Sequence, residues 1–280
     1  MTVDELKEHL KKSSIVDKFI YINVALFVAA LILNSFVHLN NGNSNIIVDY
    51  LALNKNATEF LYKPYTFITY GFLHIDFIHI LFNLITLYFL GNLFLNFFTP
   101  KKFIIYYILG TISGGLLFII SYQYFPVFKN SSGILLGASA GISSLLVGLA
   151  TYTPNYEINL RLIGYVKLWI LTLIFIILTI ILIPNGNAGG QISHIGGALV
   201  GFLLTKFYVN QKSNPYKKSK SNLKTVYKAK DRSDDFGKTI HQKRIIKQRK
   251  IDTILDKISK SGYESLSKDE RDFLSNASKE

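Results

Sequence analysis

The chain has 280 residues, 49% of them hydrophobic, and carries a net charge of +13 with no cysteine. Its length admits one substantial domain plus an appendage, and the missing thiols exclude disulfides, thiolate zinc sites and cysteine nucleophiles. Residues 18–205 hold eight Lys/Arg and four Asp/Glu, whereas 206–280 hold twenty and ten, so the basic excess belongs to a tail and no nucleic-acid partner is expected.

Residues 1–17 mix both signs of charge, and the apolar run after them lacks a small-residue cleavage site. The pattern predicts a cytosolic N-terminal segment followed by a retained anchor, not a cleaved leader. Within that segment, residues 3–14 read as a short amphipathic helix with Val3, Leu6 and Leu10 on one side. Phe19 to Val37 is uncharged and long enough to cross ~30 Å of hydrocarbon. Residues 38–73 form a long polar connection. A loop of that length usually has structure of its own, and Pro64 with its aromatic neighbours suggests a piece lying in the membrane interface.

Five more apolar runs follow, at about 75–98, 103–125, 133–153, 167–183 and 188–208. With the first they predict six spans. Lys7, Lys11, Lys12 and Lys18 precede the first span, Lys101 and Lys102 lie between the second and third, and Arg161 and Lys167 between the fourth and fifth. The basic tail follows the sixth. This bias puts both termini in the cytoplasm. In the tail, 209–238 reads as a basic flexible linker and 239–280 as a small helical segment. Ile251, Ile254, Leu255 and Ile258 share a face there, Gly262 is a C-cap, and Ser267 with Glu270 forms a capping box. The stretch at 243–250 reads equally as a contact for anionic lipid headgroups or as a solvated face.

Three of the apolar runs carry polar residues where such groups are costly. The second run holds His79 and Asn83, which share one helix face as i and i+4. The fourth holds Ser139 between small residues, Gly137-Ala138-Ser139-Ala140-Gly141, and the sixth holds His194 on one face with Gly197 and Gly201. Alone, a serine among small residues is a helix-packing residue. Counted as helix at ~1.5 Å per residue, however, all three runs bring these groups to one layer roughly 6–12 Å below the outer surface. Small residues would let the fourth and sixth spans approach closely, with Gly137 and Gly141 as the small-xxx-small pair. Ser139 is then a nucleophile for which His194 is the available base. No carboxylate lies in either span, so the pair is a dyad, with Asp76 the nearest acid at the membrane edge. His79, Asn83 and the Ser139 amide are candidate oxyanion donors.

The residues over about 18–208 resemble the rhomboid family of intramembrane serine proteases. The likeness rests on His79-Ile-Leu-Phe-Asn83 preceded by His74, on Gly137-Ala138-Ser139, and on His194-x-x-Gly197-x-x-x-Gly201, in this order. It implies an all-α integral membrane protein of bacterial inner-membrane type. That fold is a six-transmembrane-helix bundle over 18–208 with a small helical cytosolic tail. It also implies a serine endopeptidase, using no metal or cofactor, that cleaves transmembrane segments of other membrane proteins near the outer face. In that reading Ser139 is the nucleophile, His194 the base, and His79 and Asn83 the oxyanion hole. The sequence departs from the family pattern at Ala140, often Gly, and at Tyr65-Thr66, often Trp-Arg. It departs also at Leu95, where Glu is frequent, and at Ser143, in place of an aromatic that commonly packs on the histidine.

Two other classes compete. A catalytically silent rhomboid-like adaptor that binds transmembrane helices is expected to lack Ser or His, and both are present. A proton-conducting transporter using His74, His79 and His194 predicts a repeat between the halves, and none is visible.

Overall fold

The computed structural model describes residues 3–40, 42, 45–128, 133–161, 164–184, 187–213 and 251–277. They fall into two units, Met1–Lys218 and Ser219–Glu280. Helix α1 (Val3–Lys12) is the predicted amphipathic piece, broken from α2 (Ile15–Leu39) at Ser13-Ser14. The break is chemical. Ser14 caps α2 by accepting from Asp17 N–H, and the Asp17 carboxylate returns the bond to Ser14 N–H, a capping box. The helix therefore starts four residues before the uncharged run that marked the span.

The connection after α2 does have its own structure. It holds α3 (Ile46–Leu51), the two-residue strand β1 (Leu53–Asn54), α4 (Ala57–Tyr62) and α5 (Thr66–Thr69). Its inner end is pinned to the next helices by buried phenols. Tyr70 Oη–H donates to the Thr111 carbonyl, and Tyr107 Oη–H donates to the Gly71 carbonyl at 2.8 Å. Burying a phenol costs heavily unless its hydroxyl is bonded, so these contacts fix where the connection rests.

Helices α6 (Phe77–Leu95) and α7 (Pro100–Tyr124) occupy the second and third apolar runs. Thr99 caps α7 and Pro100 opens it, which suits a position whose N–H needs no partner. The fourth run differs from expectation. Residues 133–138 are not helical: strand β2 (Ile134–Leu135) pairs antiparallel to β1, a turn follows at Gly137-Ala138, and α8 (Ser139–Tyr152) begins only at the serine. Thr153 caps the far end because the residue before Pro154 disfavours helical backbone.

A hairpin of β3 (Glu157–Leu160) and β4 (Gly164–Lys167), with Glu157 opposite Lys167, then leads into α9 (Leu168–Ile181). The hairpin, α6 and Leu171 line an open cavity of about 820 Å³. The last apolar helix is α10 (Ala188–Ser213), which runs on into what had read as linker.

Among the described residues, α2, α6, α7 and α10 are long and apolar enough to cross a membrane. The helices α8 and α9 are apolar but have 14 residues each, roughly 21 Å of helix against a hydrocarbon layer of roughly 30 Å. The six-span count thus becomes four long helices and two short ones. Hydropathy counts apolar residues whether they are helical or extended, and in the fourth run six of them are not helical.

The core of this unit is aromatic at one end, where Phe19, Phe94, Phe98, Phe103, Tyr106 and Tyr107 pack together. Elsewhere it is made of small residues. A Cβ on Gly197 would lie 2.0 Å from the Ala140 carbonyl oxygen, and one on Gly201 would lie 2.2 Å from that of Ser144. The close approach of α8 and α10 is as predicted, but the small residues α8 offers are Ala140 and Ser144. Gly141 instead faces Tyr107 and Thr111 of α7, and Gly137 precedes the helix.

In the second unit, α11 (251–261) ends at Gly262, whose φ of +77° needs a residue without a Cβ. Its N–H donates to the Ile258 carbonyl at 2.8 Å. The predicted capping box opens α12 (Lys268–Ala277). Glu270 N–H donates to Ser267 Oγ, and the Glu270 carboxylate accepts from Ser267 N–H. Ile254 and Leu266 are buried, while Leu255, expected on the same face as Ile254, is half exposed. Residues 214–250, which include most of the expected linker and the basic stretch 243–250, lie outside the described residues.

Candidate active site

Ser139 stands at the first position of α8, and the reason lies in the two residues before it. Gly137 has φ of +118°, a backbone that a side chain rarely adopts. A Cβ there would also lie 2.9 Å from His79 Cε1 and 3.0 Å from Nε2. Glycine is therefore required twice, for the turn from strand into helix and for the approach of the imidazole. The turn is held from both sides. Gly137 N–H donates to the Tyr70 carbonyl at 2.9 Å, and Ala138 N–H donates to His74 Nε2 at 3.4 Å.

That placement changes the chemistry available to the serine. Inside a helix its N–H would be consumed by the carbonyl four residues earlier. At the start of α8 it has no intrahelical partner, and no side chain caps this end. The positive end of the helix dipole points the same way. Counting depth as helix does not apply to 133–138, where the strand residues advance about 3.3 Å each and a turn follows.

The four sequence-derived residues come together. Ser139, His194, His79 and Asn83 all line one cavity of about 290 Å³, with Phe82 and Thr86 of α6 and Phe175 of α9 among the other walls. Asp76 caps α6, its Oδ1 accepting from His79 N–H at 2.7 Å, so the nearest carboxylate is engaged in fixing the start of the helix that carries His79. Asn83 Nδ2 donates to the His79 carbonyl at 3.0 Å, which leaves the second N–H of the same amide. His194 reaches the cavity from α10, one turn before Gly197. Its Nδ1 is buried and has no hydrogen-bond partner among the described residues.

His74 sits behind the cavity, fully buried, with its ring 5.0 Å from that of His79 in a T-shaped contact. Burial, reinforced by the neighbouring His79, pushes its pKa down to about 3, so it is neutral at ordinary pH. Accepting at Nε2, it carries its proton on Nδ1.

Phe175 was not singled out from the sequence. Its ring centroid lies 5.8 Å from that of His194, tilted by 36°. Ser143 turns its hydroxyl onto the Ser139 carbonyl at 2.7 Å and offers no ring to the histidine. An aromatic residue in a uniformly apolar helix has no pattern to mark it. The same is true of Asn187, which lines the cavity while its Oδ1 accepts from Gly190 N–H at the start of α10.

Four long apolar helices among the described residues define a multi-pass membrane protein. The comparisons with known proteins agree with that class and narrow it. The profile of the Rhomboid domain matches residues 62–211, more than half of the chain, and the profile of a family of unknown function (DUF6576) matches residues 238–280. The chain is similar to the "RHOMBOID-like protein 12, mitochondrial" of Arabidopsis thaliana, at 28% identity over 49% of this chain. The match spans 44% of that relative's length, less than half of it. This chain belongs to the rhomboid family.

Proposed function

We propose that the protein is an intramembrane serine endopeptidase that hydrolyses a peptide bond in the transmembrane segment of another membrane protein. The observation that carries the reading is the convergence of Ser139, His194, His79 and Asn83 on one cavity from three helices. Ser139 Oγ attacks the scissile carbonyl carbon as His194 takes its proton, and the carbonyl π pair moves onto oxygen. Ser139 N–H, the Asn83 amide and an N–H of His79 meet that charge, where one such donor is typically worth ~10²–10³ in rate. Collapse breaks the C–N bond, His194 passes its proton to the leaving amine, and a water activated by the same imidazole releases the acyl group.

The test uses purified full-length protein and a model transmembrane substrate. Wild type cleaves, and Ser139→Ala and His194→Ala do not. Cleavage that survives Ser139→Ala contradicts the mechanism, and a wild type that binds the segment without cutting it points to the adaptor role.

The Lys/Arg distribution supports a bacterial inner-membrane topology with both termini cytoplasmic and cleavage near the outer face, the lipid bilayer and transmembrane proteins being its partners. Because the chain has no cysteine, single cysteines placed at Ser13 and at Lys129 report this directly. An impermeant maleimide added to intact cells labels position 129 and spares position 13. The reverse pattern overturns the orientation.

A further inference from the structure

The imidazole of a general base has to be held in one orientation, and a hydrogen bond to its second nitrogen usually does this. His194 has no such bond at Nδ1, although that atom is buried. Packing must set the ring instead. From α8, the side chain one turn beyond Ser139 is the small Ser143, whose hydroxyl donates to the Ser139 carbonyl. From the start of α10, Asn187 is occupied with Gly190 N–H. The ring that does lie against His194 is Phe175, at 5.8 Å and 36°, within the range of favourable ring contacts.

Phe175 belongs to the least anchored helix at the cavity. Leu168 near its start and Thr179 near its end are the buried residues of α9, while Leu173, Ile174, Ile177 and Leu178 face outward. Resting on the dyad reading above, we propose that Phe175 is a positioning residue that holds the His194 imidazole toward Ser139.

The experiment compares Phe175→Ala, Phe175→Leu and Phe175→Tyr in the full-length protein, with Ser139→Ala as the reference for the dyad itself. Misplacing a catalytic group by about 1 Å can cost roughly 10²-fold. Phe175→Ala is accordingly expected to lower kcat roughly 10- to 100-fold with KM nearly unchanged. Phe175→Leu, which restores apolar volume but no ring face, stays low, and Phe175→Tyr recovers most of the rate. A kcat unchanged in Phe175→Ala, a loss confined to KM, or a Leu variant as active as the Tyr variant would overturn the proposal. The Leu and Tyr pair keeps the comparison valid should the alanine variant fail to fold. A crystal structure of Phe175→Leu reads the same point without activity: the His194 ring is expected to swing from its place, and a ring that stays put overturns the proposal. Cleavage persisting in Ser139→Ala defeats the dyad reading instead, and the two failures are distinct.

Discussion

Along α10, Gly197 and Gly201 sit so close to the carbonyls of Ala140 and Ser144 that even a methyl group has no room, whereas α9 closes the other side of the cavity with two buried residues in fourteen. One wall is backbone against backbone, with Thr205 Oγ1 adding a hydrogen bond across it to the Gly148 carbonyl and Ser113 Oγ of α7 bonding the Gly196 carbonyl of α10 from behind. The other is a greasy helix resting on side chains. In lipid there is little hydrophobic drive between helices, so close packing of small residues and interhelical hydrogen bonds decide which pairs hold. The tight wall carries Ser139 and the main chain of His194. The loose wall carries the ring against the His194 imidazole. The placement of Ser139 and the packing against the His194 ring are thus assigned to different helices.

The contrast can be broken deliberately. Gly197→Ala carries the largest expected effect. Its Cβ would meet a backbone oxygen that cannot rotate away, so α8 and α10 must part, at a cost of about 3 kcal/mol, the upper end of overpacking penalties. Thermal unfolding in detergent should show a clear loss of Tm, and cleavage should fall with it. An alanine variant as stable as wild type would show that the two helices are not held at this spacing. Substitution of Phe175 comes next, because it leaves the tight wall intact and perturbs the base alone. Ile177→Ala is the smallest. That side chain faces outward from α9, and surface changes of this kind stay within about 0.5 kcal/mol. A Tm loss comparable to that of Gly197→Ala would mean that α9 is packed against something along its outer face.

The sequence and the structure agree best where chemistry follows helical spacing. His79 and Asn83 at i and i+4, and His194 with Gly197 and Gly201, could be placed on common faces without coordinates, and each face points where that spacing puts it. The start of α8 was harder to read. The stretch from Gly133 to Ala138 is apolar throughout, and hydropathy does not distinguish an extended segment paired with β1 from the first turns of a helix. Gly137 is the available signal: its spacing to Gly141 suggests packing, whereas its work is a positive φ and room for His79. The hairpin of β3 and β4 was missed because its alternation is short and half apolar. Phe175 was invisible for a deeper reason: its meaning comes from a contact between two helices, and no period within either one encodes it.

The proposed mechanism requires that Ser139 be a nucleophile activated by His194. Treating the purified full-length protein with a fluorophosphonate and mapping the adduct by mass spectrometry tests this without any assumption about substrate. The expected result is a single adduct on Ser139 that disappears in His194→Ala. Modification of Ser143 or Ser144 in its place, or undiminished modification of Ser139 when His194 is absent, would contradict it.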